Sequence, residues 1–264
     1  MSNNNSSIFD FDYTLICEYF SMLERQGPGS PEITLKALSF IDSLSKDSHI
    51  ADLGCGSGGQ TITLAQHAPG NITGIDLSPQ FIDLFNRNAC QQGLQDRVKG
   101  IVANMEDLPF DREELDLIWS EGAISHLGFE HGIKAWRKHL KPGAYLAVSE
   151  AVWFTAERPE EIRDFWLEAY PEIDTIPVKM AQLQNAGYLP VACFMLPKNC
   201  WTECFFDPQV NTQQQFLTKY PDNEKARMMV DYMRHEAGLY ARYGDYYGYA
   251  FFVARKIDFP VWQD

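Results

Sequence analysis

One stretch decides the fold: Asp52-Leu-Gly-Cys-Gly-Ser-Gly-Gly59 joins a short apolar run to a helical pattern through a glycine-rich loop. The run His49–Leu53 is typical of a buried strand, and Gln60–Ala68 is typical of a helix. Because glycine has no Cβ, a ligand can approach the backbone of such a loop closely. The helix that begins there also presents unpaired N–H groups. The stretch therefore predicts a strand–loop–helix unit that binds a ligand.

Short apolar runs and helical stretches alternate from this unit to residue 150. The segments are His49–Leu53, Gln60–Ala68, Asn71–Leu77, Pro79–Cys90, Val98–Met105, Leu115–Ser120, Gly128–His139 and Tyr145–Glu150. This alternation predicts βαβ units and a parallel sheet. Helices are expected beyond it near Pro159–Tyr170, Pro177–Ala186 and Asn223–Arg242, and strands near Val191–Leu196 and Tyr247–Lys256. The chain is thus predicted to have an α/β fold.

The 264 residues suffice for one large α/β domain with a modest cap. We expect an N-terminal helical cap or lid over residues 1–46. The ligand-binding domain would then run over residues 47–264, with cap insertions at about 151–188 and 200–244. Within the first part, the loop Arg25-Gln-Gly-Pro-Gly-Ser30 is predicted to fold over the ligand.

Composition excludes several function classes. The formal net charge is −14, from 22 basic and 36 acidic residues, so the chain would on average repel nucleic-acid phosphates and an anionic membrane surface. No apolar run approaches the roughly 18–20 residues that cross a bilayer, and the first residues lack the features of a signal peptide. The six cysteines form no CxxC pair, so no metal site is expected. We expect a cytoplasmic protein with a small-molecule partner, and leave monomer and homodimer open.

The glycine loop fits two patterns. Gly54, Gly56 and Gly59 satisfy G-x-G-x-x-G, and Asp76 follows at close to the ~20-residue distance expected of a ribose-binding acid in dinucleotide-binding folds. The same loop, with Asp52 two residues before Gly54, also satisfies acid-x-G-x-G-x-G. The longer pattern resembles the first motif of the class I S-adenosylmethionine (SAM) dependent methyltransferases.

Four further stretches resemble motifs of that family in the family's order. Asn71–Asp76 resembles its second strand, whose terminal acid accepts hydrogen bonds from the ribose hydroxyls. Gly100–Phe110 resembles the third-strand segment that meets the adenine amino group, with Asn104 where aspartate is usual. Leu115–His126 resembles the fourth strand and the loop beside the methionine part of SAM. His139–Gly143 resembles the turn before the fifth strand.

The resemblance implies a doubly wound, mostly parallel seven-stranded sheet with an antiparallel last strand, and helical caps at the N-terminus and after the fifth strand. It also implies SAM as the cofactor. The cofactor-binding residues that we predict are Gln26, Asp52, Gly54, Cys55, Gly56, Asp76, Leu77, Asn104, Met105 and Glu121. Of these, Asp52 either contacts SAM or only holds loop amides. Glu121 either pairs with a cationic group of SAM or is a solvated loop acid.

Methyl transfer from a sulfonium requires chiefly alignment and water exclusion, so few catalytic groups are expected. His126 is a candidate base, because it follows the fourth strand at the mouth of the sheet and titrates near neutrality. Glu150, at the end of the fifth strand, is a second candidate. Either residue could instead be structural.

Three functions remain open at this point. The first is a methyltransferase that modifies the O, N or C of a small, apolar or aromatic acceptor, since aromatic residues are numerous in both cap segments. The second is a non-catalytic SAM-binding module. The third is a nicotinamide-dependent oxidoreductase that uses the same glycine loop.

Overall fold

The computed structural model describes residues 11–257, and within them a single mixed sheet has helices on both faces. The strands are β1 His49–Leu53, β2 Asn71–Asp76, β3 Val98–Val102, β4 Leu115–Glu121, β5 Leu140–Trp153, β6 Asp174–Thr175, β7 Tyr188–Met195 and β8 Tyr247–Lys256. Their order is β3-β2-β1-β4-β5-β8-β7, and β6 pairs with the end of β5.

Strands β1 to β5 are parallel, and β8 runs antiparallel between β5 and β7. The predicted doubly wound, mostly parallel sheet with an antiparallel last strand is therefore confirmed. The eighth strand was not predicted, because the two residues of β6 are too few to produce a periodicity.

The α-helices in residues 11–257 are α1 Tyr13–Ser21, α2 Pro31–Leu38, α3 Gly59–His67, α4 Pro79–Gln91, α5 Phe129–Arg137, α6 Glu160–Ala169, α7 Ile176–Asn185, α8 Asp207–Lys219 and α9 Glu224–Tyr243. A π-helix, Thr202–Phe206, leads into α8. Side-chain caps begin several of these helices; Ser78, for example, accepts a hydrogen bond from the Phe81 N–H at the start of α4. Helix α8 was not predicted, because its apolar residues are sparse.

Each face of the sheet supports its own core. In β4, Leu115 and Ile118 pack toward α5 and α7, whereas Leu117 and Trp119 pack toward α2, α3 and α4. Both faces of this strand are thus buried, which explains its nearly continuous apolar sequence.

The strand order reverses between β1 and β4, which pair in parallel with Asp52 opposite Trp119. The connections that follow these two strands lead away to opposite sides, so a crevice opens at their carboxyl ends. The glycine loop follows β1 and Glu121 ends β4. Both therefore border the crevice.

The cap covers the carboxyl edge of the sheet. Tyr19 of α1 packs with Phe216 of α8 and Met229 of α9 in one apolar cluster. By contrast, Ile33 and Ala37 of α2 pack on the sheet core beside α3. The segment predicted as one N-terminal cap is thus shared between cap and sheet, and the boundaries at 46/47, 151–188 and 200–244 stay predictions. Across the described residues, we find no helix with the length and apolar character needed to traverse a bilayer.

Candidate functional site

A cavity of about 610 Å³ lies where the sheet meets the cap. One side is formed by the glycine loop and the ends of β2 and β4, and the other by α1, α6 and α9. The predicted residues that line it are Gln26, Gly54, Cys55, Gly56, Asp76, Leu77, Met105, Glu121 and His126. Three predicted residues do not line it: Asp52, Asn104 and Glu150.

The loop requires glycine for two reasons: the backbone conformation and the lack of space for a side chain. Gly54, Gly56 and Gly58 have φ of 72°, 54° and 90°, in the left-handed region that L-residues rarely adopt. A Cβ on Gly54 would lie 2.2 Å from the Cβ of Ala123, and one on Gly56 would lie 2.2 Å from Oε1 of Gln26. Larger residues would therefore strain the loop and displace the elements that close over it.

Asp76 joins the end of β2 to the glycine loop. Its Oδ2 accepts a hydrogen bond from the Gly56 N–H at 3.0 Å, and its Oδ1 accepts one from the Ser78 N–H at 2.9 Å. Burial raises the pKa of this carboxyl, although the backbone N–H groups oppose the shift. Each carboxylate oxygen can accept a second hydrogen bond, so Asp76 can also receive two hydroxyl groups from the cavity.

Asp52 lies behind the loop. It is fully buried, and its Oδ2 accepts a hydrogen bond from Thr61 Oγ1 at 2.5 Å. Its Oδ1 has no hydrogen-bond partner among the described residues, and burial raises the pKa of Asp52 to about 7. Of the two roles left open for Asp52, direct ligand contact has no support from this position, and the observed contact is to the helix that follows the loop.

Gln26 fastens the segment after α1 to the glycine loop. Its Oε1 accepts a hydrogen bond from the Ser57 N–H at 2.9 Å, and its Nε2 donates to the carbonyl oxygens of Phe20 and Leu23. The segment thus contacts the glycine loop, and its role as a lid over a ligand stays a prediction. Both ends of the amide are engaged within the protein.

Glu121 is neither a solvated acid nor an unpaired one. Its carboxylate forms an ion pair with Arg25 and accepts hydrogen bonds from Thr34 Oγ1 at 2.7 Å and Trp119 Nε1 at 3.0 Å. Both members of the ion pair line the cavity. The negative charge of Glu121 is thus already compensated by the protein, a partner that the sequence did not indicate.

The third-strand segment contributes apolar contacts. Asn104 is exposed, and its Oδ1 accepts a hydrogen bond from the Glu106 N–H at 2.9 Å, which shapes the turn after β3. Its neighbours Ala103 and Met105 line the cavity. Leu77, 54% exposed, lines it from the end of β2.

His126 lies in a short 3-10 helix after β4 and lines the cavity. Burial lowers the pKa of the imidazole, and the nearby Asp76 carboxylate opposes that shift. His126 therefore belongs to the Asp76 side of the cavity, and its role as a base stays a prediction.

Glu150 lies outside the cavity, in a buried polar cluster with Lys179 and Tyr170. Its carboxylate is 4.0 Å from Nζ of Lys179, which also donates a hydrogen bond to the Tyr170 hydroxyl at 3.2 Å. Burial raises the pKa of Glu150 to about 7 and lowers the pKa of Lys179. Because Glu150 does not line the cavity, the catalytic alternative has no support here; its neighbour Lys179 contacts Tyr170, which lines the cavity.

Aromatic residues wall the end of the cavity away from the glycine loop. The aromatic residues of the predicted cap segments that line the cavity are Tyr13, Phe20, Phe165, Trp166, Tyr170, Trp201, Phe205 and Tyr232. Tyr13 lies beside Asp76 and Ser78, at the end nearer the glycine loop. Tyr19 packs inside the cap, and Trp153 of β5 and Tyr247 of β8 pack against it from the sheet.

Glu236 of α9 also lines the aromatic end and was missed. A signal for it exists: Met229 and Met233 are buried residues of α9, and Glu236 follows them at seven and three residues, on the same helical face. An acid on an apolar face is unusual, and burial raises its pKa to about 7.

Comparison with known proteins finds sequence similarity over part of the chain. Residues 50–143 match the family described as "Methyltransferase domain". A demethylmenaquinone methyltransferase of Lactiplantibacillus plantarum is 34% identical over 110 residues, which are 40% of this chain and 46% of that protein. A sterol 4-C-methyltransferase of Caenorhabditis elegans is 26% identical over 41% of this chain and 33% of that protein. The chain thus spans less than half the length of these relatives.

Solved structures extend the likeness to the whole fold. A SAM-dependent methyltransferase from Geobacter sulfurreducens, in complex with S-adenosyl-L-homocysteine, has a TM-score of 0.79 at 23% identity, over 91% of this chain and 97% of that chain. A [4+2]-cyclase has a TM-score of 0.74 at 20% identity, over 93% of both chains. These likenesses confirm the fold, and the match of residues 50–143 agrees with the resemblance drawn from the ordered motifs.

Proposed function

We propose that the protein is a SAM-dependent methyltransferase acting on the O, N or C of a small, apolar or aromatic acceptor, since residues 50–143 match the family described as "Methyltransferase domain" and the fold is that of a SAM-dependent methyltransferase structure. One observation carries the proposal: a single cavity joins the glycine loop and Asp76 at one end to an aromatic wall at the other. A cofactor and an acceptor can thus share one enclosed space.

The residues around the glycine loop fit the cofactor. Gly54 and Gly56 line the cavity and have no Cβ, so a ligand can approach their backbone closely. Asp76 retains acceptor capacity for the ribose hydroxyls beyond its two backbone contacts. Leu77 and Met105 would contact the adenine, and Arg25 and Gln26 hold the segment that closes over the methionine part.

Bound SAM would supply an activated methyl group on a sulfonium, so the protein needs chiefly to align the acceptor and exclude water. The cap is suited to both, because α1 and α9 enclose the cavity opposite the sheet. His126 lines the cavity and is the candidate base for an acceptor that must lose a proton.

The named acceptors of the relatives support an apolar substrate. Sterol, demethylmenaquinone and tocopherol appear in the names of three of them, and aromatic side chains such as Trp166 and Trp201 suit acceptors of that character. The net charge of −14 supports a small molecule over a nucleic acid. Cytoplasmic location, and a monomer or homodimer, belong to the same proposal.

Calorimetric titration with S-adenosylhomocysteine tests the cofactor assignment. Asp76→Asn should weaken binding by about tenfold or more, because the amide replaces a charged acceptor by a neutral group with one acceptor atom. Asp83→Asn, on the exposed face of α4, is the matched control and should bind like the wild type. Equal affinity of the Asp76→Asn variant and the wild type would contradict the assignment, as would tight NADH binding without SAM binding.

A non-catalytic SAM-binding module would need the same cofactor residues, and a [4+2]-cyclase shares the fold, so the fold does not by itself establish the reaction. Incubation of the protein with labelled SAM and a cell extract separates the possibilities. A methyltransferase should release S-adenosylhomocysteine and label a small molecule. Release of neither, with SAM still bound, would favour the module.

A further inference from the structure

Glu236 is the carboxylate of the aromatic end that has no compensating group among residues 11–257. The residue is half-buried and lines the cavity, and it forms no hydrogen bond or ion pair with any of residues 11–257. Glu121, at the opposite wall, has Arg25, Thr34 and Trp119 as partners. Of the three acids that line the cavity, Asp76 and Glu121 accept hydrogen bonds from the protein, whereas Glu236 accepts none from residues 11–257 and is available to a ligand.

Aromatic rings surround the space that Glu236 faces. Phe165 stacks on Tyr232 with ring centroids 6.0 Å apart, and Trp201 lies edge-on to Tyr249 at 4.9 Å. All four rings line the same cavity as Glu236. Ring faces attract cations, and they offer little to an anion.

The charged side chains that line the cavity are mostly acidic. Within the described part of the chain, Arg25 is the only lysine or arginine that lines the cavity, and it is paired with Glu121. An anionic acceptor, such as a phosphate or a carboxylate, would therefore meet an unpaired acid without a counter-charge. Leaving a carboxylate unpaired in an apolar surrounding is unfavourable, and a donor group of positive charge would relieve this.

We propose that the acceptor is an apolar organic cation, an amine whose ammonium group is bound by Glu236 between the aromatic rings of the cap. This inference rests on the proposed methyltransferase function and concerns recognition of the acceptor. Glu236 acts as a specificity-determining residue, whichever atom of the acceptor receives the methyl group. The carboxylate accepts charge-assisted hydrogen bonds from the ammonium, and the rings contact the apolar part.

Three probes of similar size test the charge preference in protein saturated with S-adenosylhomocysteine: 2-phenylethylamine, 2-phenylethanol and 3-phenylpropionate. Binding is measured by calorimetry on the full chain. The amine should bind about ten- to hundredfold more tightly than the alcohol, the range expected of hydrogen bonds to a charged group. The carboxylate should bind most weakly.

Glu236→Gln removes the charge and keeps the shape, so the ratio of amine to alcohol affinity should fall toward one. Glu168→Gln, an exposed acid of α6, is the control and should retain the wild-type ratio. A thermal melt of each variant shows that the fold is kept. If Glu236→Gln were to unfold, Phe165→Leu, which removes a ring face and no charge, should reduce amine binding more than alcohol binding.

The proposal is overturned if the wild type binds the carboxylate as tightly as the amine, if none of the probes binds, or if Glu236→Gln leaves the ratio unchanged. These results are distinct from a failure of the proposed function, because the binding of S-adenosylhomocysteine is measured first. Loss of that binding in the wild type would refute the methyltransferase assignment. Normal binding with no amine preference would refute only the acceptor class.

Discussion

Arg25 and Glu121 form a buried ion pair that joins the loop after α1 to the carboxyl end of β4. The two side chains are 11% and 3% exposed. Thr34 and Trp119 donate hydrogen bonds to the other carboxylate oxygen, so the acid is fully engaged. The segment that closes over the glycine loop is therefore anchored to the strand on the far side of the crevice.

Breaking this pair on one side should destabilise the protein strongly. Arg25→Met leaves the Glu121 charge buried without its partner, and we expect a loss of about 3–5 kcal/mol in the free energy of unfolding. The double variant Arg25→Met, Glu121→Leu should recover part of the loss, because the buried charge is gone as well. Urea denaturation measures both. Arg163→Met, which breaks an exposed pair with Asp164, should leave the denaturation midpoint unchanged; a similar effect of all three variants would refute this account of the pair.

Two glycines with similar backbone angles should respond differently to alanine. Gly54 and Gly93 have φ of 72° and 68°, so each substitution adds about 1–2 kcal/mol of left-handed strain. Only Gly54 would clash, with Ala123 at 2.2 Å, whereas a Cβ on Gly93 meets nothing within 4 Å. Gly54→Ala should therefore lose more stability in thermal denaturation, and should also weaken S-adenosylhomocysteine binding. Equal losses would mean that the crowding at the loop is relieved by small movements.

Stability should fall as pH rises through the weakly acidic range, in part because of Asp52. Burial raises its folded-state pKa to about 7, while the unfolded chain keeps the ordinary value near 4. Between these values the native state retains a proton that the unfolded state has released, so the free energy of unfolding decreases with pH and then levels off above about 7. The slope of the free energy of unfolding against pH measures the difference in bound protons between the two states, and Asp52→Asn should lower that difference by about one proton in this pH range. Denaturation curves at several pH values measure it, and an unchanged slope would contradict the assignment.

His126 should support activity to a lower pH than an ordinary histidine would. Because burial lowers its pKa, the imidazole stays neutral, and able to accept a proton, below its usual range. As a base it should raise the rate of methyl transfer about 10²–10⁴-fold. His126→Gln should therefore slow the formation of S-adenosylhomocysteine by that order while cofactor affinity is retained. An unchanged rate, or a loss explained entirely by weaker cofactor binding, would assign His126 to packing beside Asp76.

Local features of the sequence were sufficient for the sheet and for the cofactor end of the cavity. The glycine loop lies between β1 and α3. Asp76, at the end of β2, belongs to the same βαβ unit and contacts the loop. Such features can be read from a sequence because strand and helix periodicities and turn glycines act over short distances along the chain. Glu150 shows what such local features cannot predict. The sequence placed it in the fifth strand, but did not show that its side chain points toward Lys179 and away from the cavity.

The acceptor end was decided by the tertiary structure. Its wall combines Phe165 of α6, Trp201 before the π-helix and Glu236 of α9, which come from three separate segments of the chain. The ion pair of Arg25 with Glu121 likewise spans 96 positions. Amphipathic periodicity shows that a helix has an apolar face, but which residues of that face cover a cavity depends on how the helix is rotated and docked against its neighbours. The residues proposed to bind the cofactor are thus placed mostly by local sequence, whereas the charge and shape of the aromatic end of the cavity arise only when distant helices close over the sheet.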